Sequence, residues 1–574
     1  MRVSLSLISA VLLLLSGLGA QQGVAVESHR WGFDGTVRSG DYNLLTVVVR
    51  NSGAKVYDGE VSLRLITRGL SLQRGMATTK SCFLLPGQSR RIQFQVFVAE
   101  SYHNYSVAIR RGARLELDHL KEGNLEGGGS IVVLESTDSM KVTSTPLPHF
   151  PENEFPVHGY TTRNLAAVVL DHVPEFTGAQ RLAFLDWLRG GGRLHLYHRV
   201  DKYPEFNGDM STLNDPRETY RVGMGSVHRN ATTIAEAVSL KTLPGAAKQE
   251  SNKYSYRYSH RASNILDVLR GMVRPKHHWP LIYFLLFAFF VVAVPYHYLF
   301  SQRKSSYLQS IFFLVGIVGV TSWIVYFLGA RGYGEDASVH LLGYAKQLSK
   351  DRFEVRRHGN AFATTSGRYT LRFQGKGGQF DAGGAQSIDG TRNPDGSLRV
   401  AVPIFTSRPF IHVSAVDSPL VQANTRSWLS ESPEDAALAG LTLSVNQEVV
   451  AGWAFHLDDA TRLEPTRDGL LGAGEIQSSK NLFKTRNNRA ERWRFSDSGD
   501  SPFSDVCIEQ SIPMLSDLWR RGSNEVVPAT LTDLNTVRVA LLCKLPDELK
   551  LVDNELGEQD GYVLYDILLE RPEN

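Results

Sequence analysis

The sequence predicts a multidomain chain: an all-β (immunoglobulin-like) sandwich, an α/β domain, two transmembrane α-helices and a C-terminal mainly-β region. Three observations predict it. Val61, Leu63 and Leu65 alternate with Ser62 and Arg64, and Ile92, Phe94, Val96 and Val98 alternate with Gln93 and Gln95, the period-two pattern of strands with one buried face. Between Leu165 and Tyr197 an apolar run, a capped amphipathic stretch, a glycine stop and a second apolar run follow one another, as in a βαβ unit of a parallel sheet. Finally, Trp279 to Phe300 and Tyr307 to Leu328 hold no Asp, Glu, Lys or Arg. Each is about 22 residues, roughly 33 Å as a helix, against a bilayer core of roughly 30 Å.

A chain of 574 residues exceeds what one core supports. The formal net charge of +3 gives no global field for a nucleic-acid partner. Three cysteines exclude a disulfide scaffold, with Cys507 and Cys543 able to pair in an exported chain and Cys82 left over. Residues 1–20 read as a signal peptide: Arg2, a short apolar core, then small residues ending at Ala20. Export predicts a two-pass protein of the cytoplasmic membrane with both large regions extracytoplasmic, although the basic residues flanking the spans argue for the opposite orientation.

In order, the expected parts are a β-sandwich over 21–126, an α/β domain over 127–245 and a juxtamembrane segment over 246–278. A first transmembrane helix over 279–300, a cytoplasmic turn over 301–306 and a second helix over 307–328 follow, then a mainly-β region over 329–574. Turns at Asn51-Ser52-Gly53 and Pro86-Gly87 punctuate the sandwich. Ile131 to Leu134 and Leu165 to Leu170 read as strands buried on both faces. Thr177 and Gln180 form a capping box, and Leu182, Phe184, Leu185, Trp187 and Leu188 form the buried stripe of the helix it starts. Gly190, Gly191 and Gly192 end that helix.

LAAVVLDHVPEFTGAQRLAFLDWLRGGGRLHLY resembles the class I glutamine amidotransferase-like domain, Rossmann-like in fold, of membrane-anchored bacterial envelope proteins. That resemblance implies a noncatalytic version, because the region has no cysteine to form the acyl intermediate. VPYHYLFSQRKSSYLQSIFFLVGIVGVTSWIVYFLGARGYGE is similar to the two-helix hairpin of a poorly characterised bacterial membrane family, through Pro295, Tyr298, Arg303, Lys304, Arg331 and Gly332.

Ligands of open α/β sheets bind at the carboxyl ends of the strands, which makes Glu135, Asp171 and His172 the candidate ligand-binding residues. His195 and His198, three apart on a strand, point to opposite faces and cannot share a metal. Ile265, Val268, Leu269 and Met272 read as a short helix lying against the bilayer. Gly316 and Gly319, on one side of the second span, mark a helix-packing surface. Strands are expected at 368–373, 397–405, 410–416, 441–446 and in the last forty or so residues, with an irregular segment after 465. Lys480, Lys484, Arg486, Arg489, Arg492 and Arg494, with Phe483 and Trp493, form a candidate contact for an anionic surface.

No nucleophile–base pair, metal cluster or phosphate loop is legible, so no catalytic residue, no metal and no cofactor is expected. The expected partners are the lipid bilayer and other envelope or membrane proteins, without nucleic acid. The expected function is a noncatalytic envelope protein that presents binding modules. The alternatives are an accessory subunit of a transporter or secretion complex, and a hydrolase using Asp171 and His172.

Overall fold

The computed structural model describes residues 23–66, 77–98, 104–111, 114–121, 123–125, 129–137, 145–199, 202–244, 259–272, 279–301, 307–333, 337–375, 377–381, 390–393, 395–427, 438, 441–457, 459–466, 471–479, 482, 503–519, 536–552 and 555–570. The expected signal peptide at 1–20 and the basic cluster from Lys480 to Arg494 lie outside them.

Ser89–Val98 turns Ile92, Phe94, Val96 and Val98 inward and pairs with Asp41–Asn51, which pairs in turn with Val24–Trp31. A seven-stranded sheet closes over this three-stranded one around Val47, Val61, Phe94 and Val107. Its edge strands Gly367–Leu371, Gly390–Arg392 and Leu398–Val402 come from the C-terminal half of the chain. They attach where Thr391 pairs with Ala77, and Arg392 Nη1 donates to Thr78 Oγ1 at 2.7 Å. The sandwich is therefore completed by a distant part of the sequence.

The α/β domain has a six-stranded sheet in the order His149–Pro151, Ser130–Glu135, Leu165–Leu170, Arg193–His198, Gly225–Thr233, Thr219–Val222, parallel except for the last strand. Helix α1 (Gly178–Arg189) starts at the capping box formed by Thr177 and Gln180. It buries Phe184, Leu185, Trp187 and Leu188 on one sheet face. Leu182, expected in that stripe, is instead 41% exposed. The other face is covered by the short helix α2 (Ile234–Ser239), through Ile234 and Ala237.

The C-terminal region is an eleven-stranded sheet. Its central run is Thr406–Asp417, Arg352–Ala363, Ser338–Ser349, Glu558–Glu570, Thr536–Lys544, Val449–His456. One face holds the largest apolar core, including Phe353, Val355, Val539 and Tyr565. The opposite face is covered by helices α3 (Ser259–Met272) and α6 (Phe503–Trp519), and by Tyr42 and Tyr160 from the preceding domains. Helix α6 forms in the stretch expected to be irregular. The stripe of α3 is also corrected: Ile265 and Leu269 are buried against the sheet rather than against a bilayer, and Asn360 Nδ2 donates to Leu269 O at 3.2 Å. Cys543 lies in one core and Cys507 in the other, on opposite sheet faces, so both thiols are free.

The two charge-free runs form helices α4 (Trp279–Ser301) and α5 (Tyr307–Tyr333). Among the described residues, no helix is long and apolar enough to cross a membrane. The expectations of two transmembrane helices in the fold and of a two-pass membrane location are corrected accordingly. Phe284, Phe287, Phe312 and Trp323 are exposed on these helices. A Cβ added at Gly316 or Gly319 would meet nothing within 4 Å, so neither glycine marks a close helix approach among the described residues.

One strand ties the units together. Along Arg352–Ala363, alternate side chains face the other domains. Arg352 grips Asp186 of α1, with Nε 2.9 Å from Oδ1 and Nη2 2.8 Å from Oδ2. Glu354 accepts from Arg163, which precedes the strand Leu165–Leu170. Arg356 pairs with Asp41 of the sandwich and donates to Gly40 O at 3.2 Å. On the adjacent strand, Lys346 Nζ donates to Gly190 O at the end of α1. Burial alone would raise the Asp41 carboxyl, but Arg356, Arg163 and Arg38 hold it below its usual range.

Histidines are shielded as well: His358 is buried on this strand, and His158 and His195 are half-buried in the α/β domain. Burial, and then Arg356, push His358 down to about 3. Burial pushes His158 down to about 4, and burial with His228 does the same to His195. The unfolded chain binds these protons near 6.5 and the native chain does not. Stability is therefore expected to be fully present above about pH 6.5 and to fall as pH drops toward 4, by up to about 1.4 kcal/mol per pH unit for each histidine. Urea midpoints measured across that window should decline, and His358→Gln should flatten the slope.

Candidate functional site

The parallel strands of the α/β domain end together, and the loops that follow them bring the sequence candidates near one another. Glu135 closes the strand Ser130–Glu135, and its Oε1 lies 2.7 Å from His149 Nδ1, an ion-pair distance without hydrogen-bond alignment. Asp171 and His172 follow the strand Leu165–Leu170, with Asp171 Oδ1 2.9 Å from His172 Nδ1. The other ring nitrogen, Nε2, lies 3.3 Å from Glu152 Oε2. Glu152, only 1% exposed, also accepts from Thr137 N at 3.0 Å, Thr137 Oγ1 at 3.1 Å and Glu175 N at 3.0 Å.

This geometry limits the chemistry available. Each nitrogen of His172 faces a carboxylate oxygen, so the ring has none left to take a proton from a substrate. Glu152 is occupied by loop amides and a hydroxyl. The cluster ties three loops together at the sheet edge. His195 and His198 do not meet: His195 stacks on His228 with centroids 5.0 Å apart, and His198 sits edge-on to Tyr203 at 4.2 Å. Among the described residues, no group of three or more His, Cys, Asp or Glu could hold a metal ion.

Sequence reasoning missed Glu152 and His149, which lie in the short segment HFPENEFP, a stretch with no motif to single them out. It also missed a larger feature. Between α1 and the eleven-stranded sheet lies a cleft of about 540 Å³, lined in part by Val157, His158, Leu182, Asp186, Arg352 and Asp417. Val157 and Leu182 are 40% and 41% exposed there. Arg352 spans the floor between Asp186 and Asp417. Burial raises the Asp186 carboxyl even though Arg352 opposes the shift. His158 stacks on Tyr160 with centroids 5.2 Å apart. The cleft joins positions 166 apart in the chain, Asp186 and Arg352, so no local motif announces it.

No family model matches the sequence, and no curated protein matches it. Among solved structures the chain is similar to a cycloisomaltooligosaccharide glucanotransferase of Paenibacillus sp. complexed with cycloisomaltoheptaose. The identity is 10%, with 79% of this chain and 98% of that chain covered and a TM-score of 0.16, a level of likeness that carries no argument.

Proposed function

We propose that this chain is a noncatalytic binding protein that holds its β and α/β modules in fixed relation and presents them to a protein partner. The cleft beside α1 carries this reading. Its polar floor is already committed to the fold through Asp186, Arg352 and Asp417, while Val157 and Leu182 on its wall are left apolar and exposed. Such a surface offers shape and apolar area without a free reactive group. The consumed nitrogens of His172 favour the same reading over a hydrolase built on Asp171 and His172. A second reading, an accessory subunit of a transporter or secretion complex, is favoured by the open face at Gly316 and Gly319 on α5.

A photo-crosslinking residue placed in turn at Leu182, at Gly316 and at the exposed control Leu240, in the full chain in its host cells, separates these readings. A discrete protein adduct is expected from Leu182 and none from Leu240. Adducts from Gly316 alone would favour the accessory subunit. No adduct from any position, together with a hydrolytic activity lost in Asp171→Asn, His172→Ala, would overturn the noncatalytic proposal.

A further inference from the structure

Arg357 points to the core side of the same strand whose other side carries the interdomain pairs, and it is 0% exposed. Among the described residues its guanidinium has no carboxylate partner. Nε donates to Leu549 O at 3.2 Å, and Nη1 lies 3.0 Å from Ser414 Oγ and 3.1 Å from His412 Nδ1. Phe373 covers one face, its ring centroid 4.4 Å from Cζ, and Phe380 and His412 pack against Phe373. Nη2 is buried and has no hydrogen-bond partner among the described residues.

A second orphan belongs to the same neighbourhood. Tyr565 is 0% exposed and its hydroxyl has no hydrogen-bond partner among the described residues. The ladder pairs Arg357 with Gly343, and Val355 with Ala345, which pairs with Tyr565. Arg357 and Tyr565 therefore project from one sheet face on strands separated only by the one that carries Gly343 and Ala345, the two smallest side chains available. A buried cation without a counter-charge, beside a buried hydroxyl without an acceptor, is a costly arrangement unless something negative completes it. One small acceptor lying between them would satisfy both donors at once.

We propose that a small monovalent anion of the halide class is bound in the C-terminal core between Arg357 Nη2 and the Tyr565 hydroxyl. Burial holds the Arg357 guanidinium down at about 9 although Tyr565 opposes the shift, the direction expected of a cation that lacks its counter-ion. Neither residue takes part in the cleft or in the sheet-edge cluster, so the site stands apart from the binding function proposed above.

Thermal unfolding of the full chain in chloride, bromide and gluconate at matched ionic strength tests this. A ligand bound only by the native state raises the folded-to-unfolded ratio about tenfold for each tenfold rise in its concentration above its dissociation constant. Chloride and bromide are expected to raise the midpoint in this way, and the bulkier gluconate is not. Arg357→Met is expected to abolish the halide dependence. Tyr565→Phe, which keeps the ring and its packing, is expected to move the dependence to about tenfold higher halide, the loss of one hydrogen bond to a charged group. Equal midpoints in halide and gluconate for the unaltered chain, as a buried water would give, overturn the proposal. So does a halide dependence left unchanged by Tyr565→Phe.

Discussion

Asp566→Ala is expected to destabilise the C-terminal unit by about 3–5 kcal/mol, the range for stripping one partner from a buried ion pair. Asp566 is 0% exposed and accepts hydrogen bonds from three residues. Arg538 grips it in a bidentate pair, Nε to Oδ1 at 2.7 Å and Nη2 to Oδ2 at 2.6 Å. Trp519 Nε1 donates to Oδ2 at 2.9 Å, and the Tyr344 hydroxyl donates to the same oxygen. Arg538 also stacks over Trp519, with Cζ 3.9 Å from the ring centroid. Burial pushes the Asp566 carboxyl up, but Arg538 and the hydrogen bonds outweigh it and hold it down. Alanine would remove the acceptor that Arg538, Trp519 and Tyr344 share, and with it a polar tie between α6 and the sheet it covers. Urea unfolding should show a lowered midpoint with little change in slope. A loss below about 1 kcal/mol, the range of exposed pairs, would mean that the network does not hold α6 in place.

Glu354→Ala is expected to have an effect of the same order, about 3–5 kcal/mol, for a different reason. The side chains of Arg163 and Glu354 are 8% and 9% exposed, and the pair lies between domains rather than within one. Burial opposes the charge on Arg163, and Glu354, followed by Asp41, restores it. Removing the carboxylate leaves that cation stranded at the junction. Adding Arg163→Met to the same chain removes the stranded charge and keeps most of the volume, so the double variant should recover at least about half of the loss. Additive losses would show instead that the two residues do not interact across the junction.

The contrast between these positions and the ones read correctly shows what a sequence exposes. The capping box at Thr177 and Gln180 and the apolar run Leu165–Leu170 are local, and both appear at those residues. The strand Arg352–Ala363 is different. Arg352, Glu354 and Arg356 alternate with Phe353, Val355 and Arg357, which reads as a solvated face over a core face. The charged face is buried, but its partners Asp186, Arg163 and Asp41 lie 166, 191 and 315 residues away. No local pattern distinguishes an exposed charge from one whose partner is supplied by another domain. The same blindness affects α3: its apolar stripe was evident, but which surface covers it was not. At the sheet edge, Glu135, Asp171 and His172 were placed by a topological rule, whereas Glu152, which saturates His172, sits in a loop with no motif.

The account rests on the sandwich, the α/β domain and the C-terminal sheet behaving as one body because a single strand grips all of them. Calorimetry of the full chain tests this most directly. These three units are predicted to melt in one transition whose calorimetric and van 't Hoff enthalpies agree, and Glu354→Ala with Arg356→Ala is predicted to split it. Separate transitions in the unaltered chain, or one unsplit transition at an unchanged temperature in the double variant, would contradict the account.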